Sequence, residues 1–170
     1  MKRTLAVAAV ILAVLIGGQG QALAANFEKP FEDEMATQTF APGSPSACSE
    51  QWNFIPEAGY IMTAKGCFTK YGDVWHILDA AVDGQQTFIY WENWLWNGSS
   101  WKPYRSGWCN NDLGGNNWGK CNKDYYESSS TNYYGGKGSR LRFQVCRRNF
   151  VGTNCTPGSI DGAAWINNDA

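Results

Sequence analysis

Glu92 stands between Trp91 and Trp94, the one carboxylate whose neighbours are apolar enough to raise its pKa as a general acid requires. Glycoside hydrolysis needs a second carboxylate across a cleft, for which Asp73, Asp79 and Asp83 are the candidates, although Asp83 is already explained by the turn Asp83-Gly84. Serine or cysteine catalysis needs an imidazole base, and His76 is the only histidine. It falls between Trp75 and Ile77 in an alternating run, the setting of a structural histidine. With no C-x-x-C spacing and a single imidazole, no zinc set can be assembled. The expectation is a protein without catalytic residues, metal or cofactor.

Recognition by flat rings is the chemistry the composition favours instead. Nine tryptophans and eight tyrosines exceed what the core of one small domain must absorb. Trp101, Tyr104, Trp108, Trp118, Tyr133 and Tyr134 lie in or beside turn-rich segments, with Asn110, Asn111 and Asp112 as hydrogen-bonding edges. Such a set suits stacking on a polysaccharide or cell-wall glycan. The competing reading is that a Leu-poor sandwich simply uses aromatic rings as filling.

The elements that must hold these groups read as strands. Thr87 to Trp96 concentrates aromatic and β-branched residues between the turn pairs Asp83-Gly84 and Asn97-Gly98. Alternation puts Ile89, Trp91, Asn93 and Leu95 on one face and Phe88, Tyr90, Glu92, Trp94 and Trp96 on the other. One face is expected in the core, the other partly covered by a loop or a partner. Gln51–Ile55 and Tyr60–Phe68 flank a turn, and Asp73–Val82 alternates. Ser100–Ser106 carries Pro103 and suits a sheet edge. Gly107–Lys123 reads as an irregular loop, Tyr125–Ser128 as a short strand, and Ser128–Gly138 as a polar loop. In Arg140–Arg148, Leu141, Phe143 and Val145 face in, while Arg140, Arg142 and Gln144 face out. Seven to nine strands argue an all-β, antiparallel β-sandwich.

Lys2 and Arg3, the apolar run Leu5–Ile16 and Ala22-Leu23-Ala24 have the order of a secretory signal peptide over residues 1–24. The run is too short for a membrane anchor. Six cysteines in an exported chain imply a disulfide framework. Pairing Cys48 with Cys67, Cys109 with Cys121 and Cys146 with Cys155 is favoured, because each pair brackets one turn-rich segment. A net charge of −1, more negative once the basic leader is removed, gives a nucleic-acid partner no electrostatic support.

Residues 25–47 differ from the rest. They contain no Cys or Trp until the sandwich begins at residue 48, and they cluster Glu28, Glu32, Asp33 and Glu34 among Phe27, Phe31 and Phe40, with Pro30, Pro42 and Pro45. This is the composition of an extended, flexible arm. It is either a solvated leader or a strand, Met35 to Phe40, that adds to another protein's sheet edge.

The succession Cys67, Tyr71-Gly72-Asp73, Asp83-Gly84, Tyr104-Arg105-Ser106-Gly107-Trp108-Cys109-Asn110, Gly119-Lys120-Cys121, Leu141-Arg142-Phe143 and Cys146 resembles a class of small secreted actinobacterial β-sandwich proteins, over roughly residues 48–155. With the arm ahead of it, the layout also resembles the adaptor subunit of the umbrella toxin particles of Streptomyces. That resemblance implies a secreted adaptor whose N-terminal extension inserts into the repeat ring of a larger toxin subunit and whose globular part carries a lectin-like subunit. It would assign Phe31, Met35, Thr37, Thr39 and Phe40 to docking and the Trp-rich sheet to the lectin-like partner.

Overall fold

The computed structural model describes residues 25–156 and 163–168; the leader expected over residues 1–24 lies outside them. Among the described residues every regular element is a strand: β1 (Glu32–Met35), β2 (Thr37–Thr39), β3 (Ala47–Ile55), β4 (Gly59–Thr69), β5 (Val74–Asp79), β6 (Gln86–Trp96), β7 (Trp101–Asn111), β8 (Trp118–Asn122), β9 (Ser139–Arg148), β10 (Thr153–Cys155) and β11 (Ile166–Asn167). They form two sheets. The first runs β1-β7-β6-β9-β10, with β11 also on β9, and the second runs β2-β8-β5-β4-β3. Every pairing is antiparallel except that of β1 with β7. The chain is thus an all-β, disulfide-stapled sandwich.

β6 is the middle strand of the first sheet, as its hydrophobicity on both faces requires. Ile89 and Trp91 point inward with Leu141, Phe143 and Val145 of β9, and meet Ala64, Phe68, Trp75 and Ile77 from the second sheet. Burying each of the aliphatic or Phe side chains fully contributes roughly 1.5–3 kcal/mol. Trp75 is also fully buried, and its indole N–H is satisfied by the Tyr125 hydroxyl at 2.9 Å. The disulfides are Cys48–Cys67, Cys109–Cys121 and Cys146–Cys155. Two staple neighbouring strands within a sheet, β3 to β4 and β10 to β9. Cys109–Cys121 instead ties β7 of one sheet to β8 of the other, through the core.

The arm is not free. β1 pairs with β7, the chain crosses between the sheets at buried Ala36, and β2 pairs with β8, so residues 32–39 edge both sheets. The sandwich therefore begins well before residue 48. Two glycines make room for this crossing. A Cβ at Gly107 would collide with the Glu32 carbonyl oxygen and the Trp91 ring, and one at Gly119 would sit 2.6 Å from the Ala36 methyl. The acidic cluster that reads as solvated is paired. Glu32 accepts from Arg105 at 2.6 and 3.1 Å and from Lys123 at 2.9 Å, Glu34 meets Lys123 at 2.5 Å, and Asp33 accepts from the Asn110 amide at 2.6 Å.

Partial burial alone would push the Glu32 carboxyl up, but the hydrogen bonds from Arg105 and Lys123 outweigh it and hold the group below its ordinary value. A carboxyl lowered by folding stabilises the fold above its unfolded pKa, and that contribution is lost as pH falls through the folded value. Hydrogen-exchange protection of residues 32–39 is therefore expected to be whole at pH 7 and to decline below the ordinary glutamate value of 4.5. Glu32→Gln should weaken the same protection at neutral pH. Protection that is unchanged in both cases would show that the backbone ladder alone holds the arm.

Three other expectations are corrected. β7 is flanked by β6 and β1 and is not an edge, but β1 pairs only with Gly107–Asn110, so Pro103 lies where β7 has one neighbour, beside a register shift at Asn93/Trp94. The stretch 107–123 is mostly strand, belonging to β7 and β8 with only a short turn between. No strand forms over Tyr125–Ser128, because the Tyr125 amide bonds the Asp73 carboxylate at 2.7 Å instead of a neighbouring chain.

Candidate functional site

The alternation that buries Trp91 turns Phe88, Tyr90, Glu92, Trp94 and Trp96 outward from the first sheet. Register then places their partners. Trp108 of β7 lies opposite Tyr90, Arg142 of β9 opposite Glu92, and Arg140 opposite Trp94. Glu92 is only 3% exposed and anchors the middle of this face. It accepts from the Tyr90 hydroxyl at 3.0 Å, the Trp94 indole at 2.9 Å and Arg142 Nε at 2.8 Å, with a second Arg142 nitrogen at 2.7 Å. The carboxylate fixes the positions of two rings and a guanidinium.

Around that anchor, arginines interleave with rings. The Arg140 guanidinium lies 3.7 Å from the Trp165 ring centre, 4.4 Å from Trp101 and 5.9 Å from Trp94. Arg142 faces Trp165 and Trp94, and Arg148 lies between Phe88 and Trp108. The arm completes the face: Phe31 stacks on Tyr90 and meets Trp108 edge-on at 4.9 Å, and Phe27 meets Trp94. Tyr90, Trp94, Trp96, Trp101, Trp108 and Trp165 are all half-buried, so their rims remain open to solvent.

The ring-bearing residues singled out from the sequence do not form one platform. Trp101 and Trp108 share this face. Tyr104 is buried among Tyr126, Tyr133 and Tyr134 beside a cleft of about 450 Å³, where burial, helped by Tyr126, pushes its hydroxyl up to about 12. Trp118 is in register with Leu78 and Thr39 while its neighbour Gly119 faces Ala36, so its ring lies on the outer face of the opposite sheet. Asn111 is buried and donates to backbone carbonyls of Ile77 and Asn117, Asn110 is taken by Asp33, and Asp112 accepts from Gln86. These amides shape the loop rather than edge a ligand.

Nor does the fold assemble the catalytic sets weighed above. His76 lies on β5 of the second sheet, in register with disulfide-bonded Cys67 and with Lys120. Burial, with the Lys120 charge, lowers its pKa. Asp73, just before β5, and Asp79, its last residue, are both raised by burial and lie in the sheet across the core from Glu92. Partial burial would raise Asp83, but Arg147, donating to both oxygens at 2.6 Å, holds it low. Among the described residues no cluster of His, Cys, Asp or Glu could hold a metal ion.

A second exposed surface is apolar. β3 is the outermost strand of its sheet, and its hairpin with β4 holds out Trp52 at 51%, Phe54 at 62% and Tyr60 at 73% exposure. The Phe54 and Tyr60 rings are 5.3 Å apart. Phe150 and Val151, on the β9–β10 turn, are also exposed. Of the residues assigned to docking, Thr37 and Thr39 are committed to β2, and Phe31 rests one side against Tyr90 and Trp108 but, like Met35 and Phe40, keeps open surface. Phe40 is 90% exposed.

The fold and these surfaces define a small disulfide-stapled sandwich with two aromatic faces. Comparison with protein-family models, with curated proteins and with solved structures finds no match to this chain.

Proposed function

We propose that this protein is a secreted, non-enzymatic adaptor that holds two partners on separate surfaces of one rigid sandwich. The observation that carries this reading is the β3–β4 hairpin. Its three aromatic side chains lie outside the core, beside a strand edge that pairs with no other strand among the described residues, and form the kind of contiguous apolar surface that marks an interaction site. Main-chain hydrogen bonds to the free edge of β3 would supply affinity for a strand of a larger secreted subunit, and the rings would supply register. Insertion of the N-terminal arm into such a partner would require β1 and β2 to leave the sheets they edge, so the first contact is placed on the hairpin. Three disulfides, and the absence among the described residues of any helix long and apolar enough to cross a membrane, accord with an extracellular life.

The test is retention of a secreted partner from native culture medium by the purified protein. Trp52→Ser with Phe54→Ser is expected to abolish that retention while leaving the circular-dichroism spectrum unchanged. An identical set of retained proteins would refute the placement.

A second reading is favoured by the outer face of the first sheet. Its half-open tryptophan rims, held by Glu92 and the arginines, suit stacking on a saccharide.

A further inference from the structure

We propose that Trp94, Trp101 and Trp165, with the Arg140 they surround, form a binding site for an acidic saccharide. The rings stack on a pyranose face and the guanidinium bonds the sugar's carboxylate or phosphate. The inference rests on the saccharide reading of the first sheet's outer face and adds the charge of the ligand to it.

Arg140 differs in its partners from three other arginines of the sandwich. Arg105, Arg142 and Arg147 each meet a carboxylate, at 2.6, 2.7 and 2.6 Å. Arg140 meets none among the described residues, and its Nε is buried without a hydrogen-bond partner. Burial and the neighbouring Arg142 charge both disfavour its charged form. Stacking between rings does not require the charge, because a methionine of similar reach would pack there without desolvating a cation. Among the described residues no anion compensates this cation, which sits at a half-open position with three indole rings framing the approach.

A guanidinium offers paired donors that match a carboxylate or a phosphate. The chain as a whole is slightly acidic, with a net charge of −1, so selection for an anion here is local and does not come from a general positive field. Glu92 does not cancel it, being engaged with Arg142, Tyr90 and Trp94. The site thus couples an aromatic platform to a cation that meets no carboxylate among the described residues.

Affinity electrophoresis of the whole protein through gels containing a polymer tests this. The probes are polygalacturonate, its fully methyl-esterified form, which keeps the rings and removes the charge, and a phosphomannan, which carries phosphate on pyranose rings. Retardation by polygalacturonate or the phosphomannan, with at least about tenfold weaker binding to the methyl ester and about tenfold loss in Arg140→Met, is the expected result. Which acidic polymer retards separates a carboxylate ligand from a phosphate one. Equal retardation by the methyl ester would overturn the acidic-group assignment while leaving saccharide stacking intact, and no retardation by any polymer would overturn both. Thermal unfolding checks that Arg140→Met folds. Should it not, Arg140→Lys, which keeps the charge and loses the planar fork, carries the test: binding equal to wild type overturns bidentate recognition, and weakened binding supports it.

Discussion

Replacing Cys109 and Cys121 together by alanine is expected to cost about 3–5 kcal/mol, more than opening either of the other disulfides. Loop length alone argues the opposite order. The Cys109–Cys121 loop spans 12 residues and the Cys48–Cys67 loop 19, and the chain-entropy difference between them is about 0.4 kcal/mol in favour of the longer. The core decides against it. Cys109 and Cys121 both belong to the buried cluster between the sheets, and removing two sulfurs there leaves a cavity costing on the order of 1 kcal/mol at ~24 cal/mol per Å³. Cys48–Cys67 and Cys146–Cys155 join residues already opposite one another in paired strands, whose backbone ladders persist without the bond. Urea unfolding of the three double-alanine variants under oxidising conditions ranks them. A larger loss for Cys48/Cys67 would mean that the constraint on the unfolded chain outweighs core packing.

The strands were legible where one chain segment carried its own pattern. β6 shows its two faces in Phe88 to Trp96, and β9 separates Leu141, Phe143 and Val145 from Arg140, Arg142 and Gln144, because alternation is a local property. What the sequence could not supply is register. Both halves of the candidate face are visible separately, yet only the pairing Glu92 to Arg142 and Trp94 to Arg140 turns two alternating runs into one interleaved surface. The arm was misread for the same reason at longer range. Its acids meet Arg105 and Lys123, which are 73 and 91 residues away from Glu32. Gly107 and Gly119 fall in the stretch that reads as an irregular loop, though they are strand glycines placed where the arm presses close. A glycine directly beside a tryptophan, as in Gly107-Trp108 or Trp118-Gly119, was the available signal of close approach by another chain segment.

Glu92→Ala is expected to destabilise the protein by about 3–5 kcal/mol, since it breaks a buried ion pair by removing one partner. The side chains of Glu92 and Arg142 are only 5% and 7% exposed, so water cannot readily replace the carboxylate that meets the guanidinium at 2.7 Å. The Tyr90 hydroxyl and the Trp94 indole lose their acceptor in the same step. Removing both charges separates the energy of the pair from the penalty of leaving the guanidinium without this carboxylate. Glu92→Leu with Arg142→Met should recover most of the loss, because a buried pair exchanged for apolar groups of similar volume is often close to neutral. Recovery of stability should not recover the face. Without the carboxylate the Trp94 indole loses the acceptor that orients it beside Arg140, so the double variant is expected to unfold near the wild-type urea midpoint while the tryptophan emission shifts. Were Glu92→Ala alone to cost under about 1 kcal/mol, or the double variant to be no more stable than the single, the pair would be a surface contact rather than the anchor of the sheet's outer face.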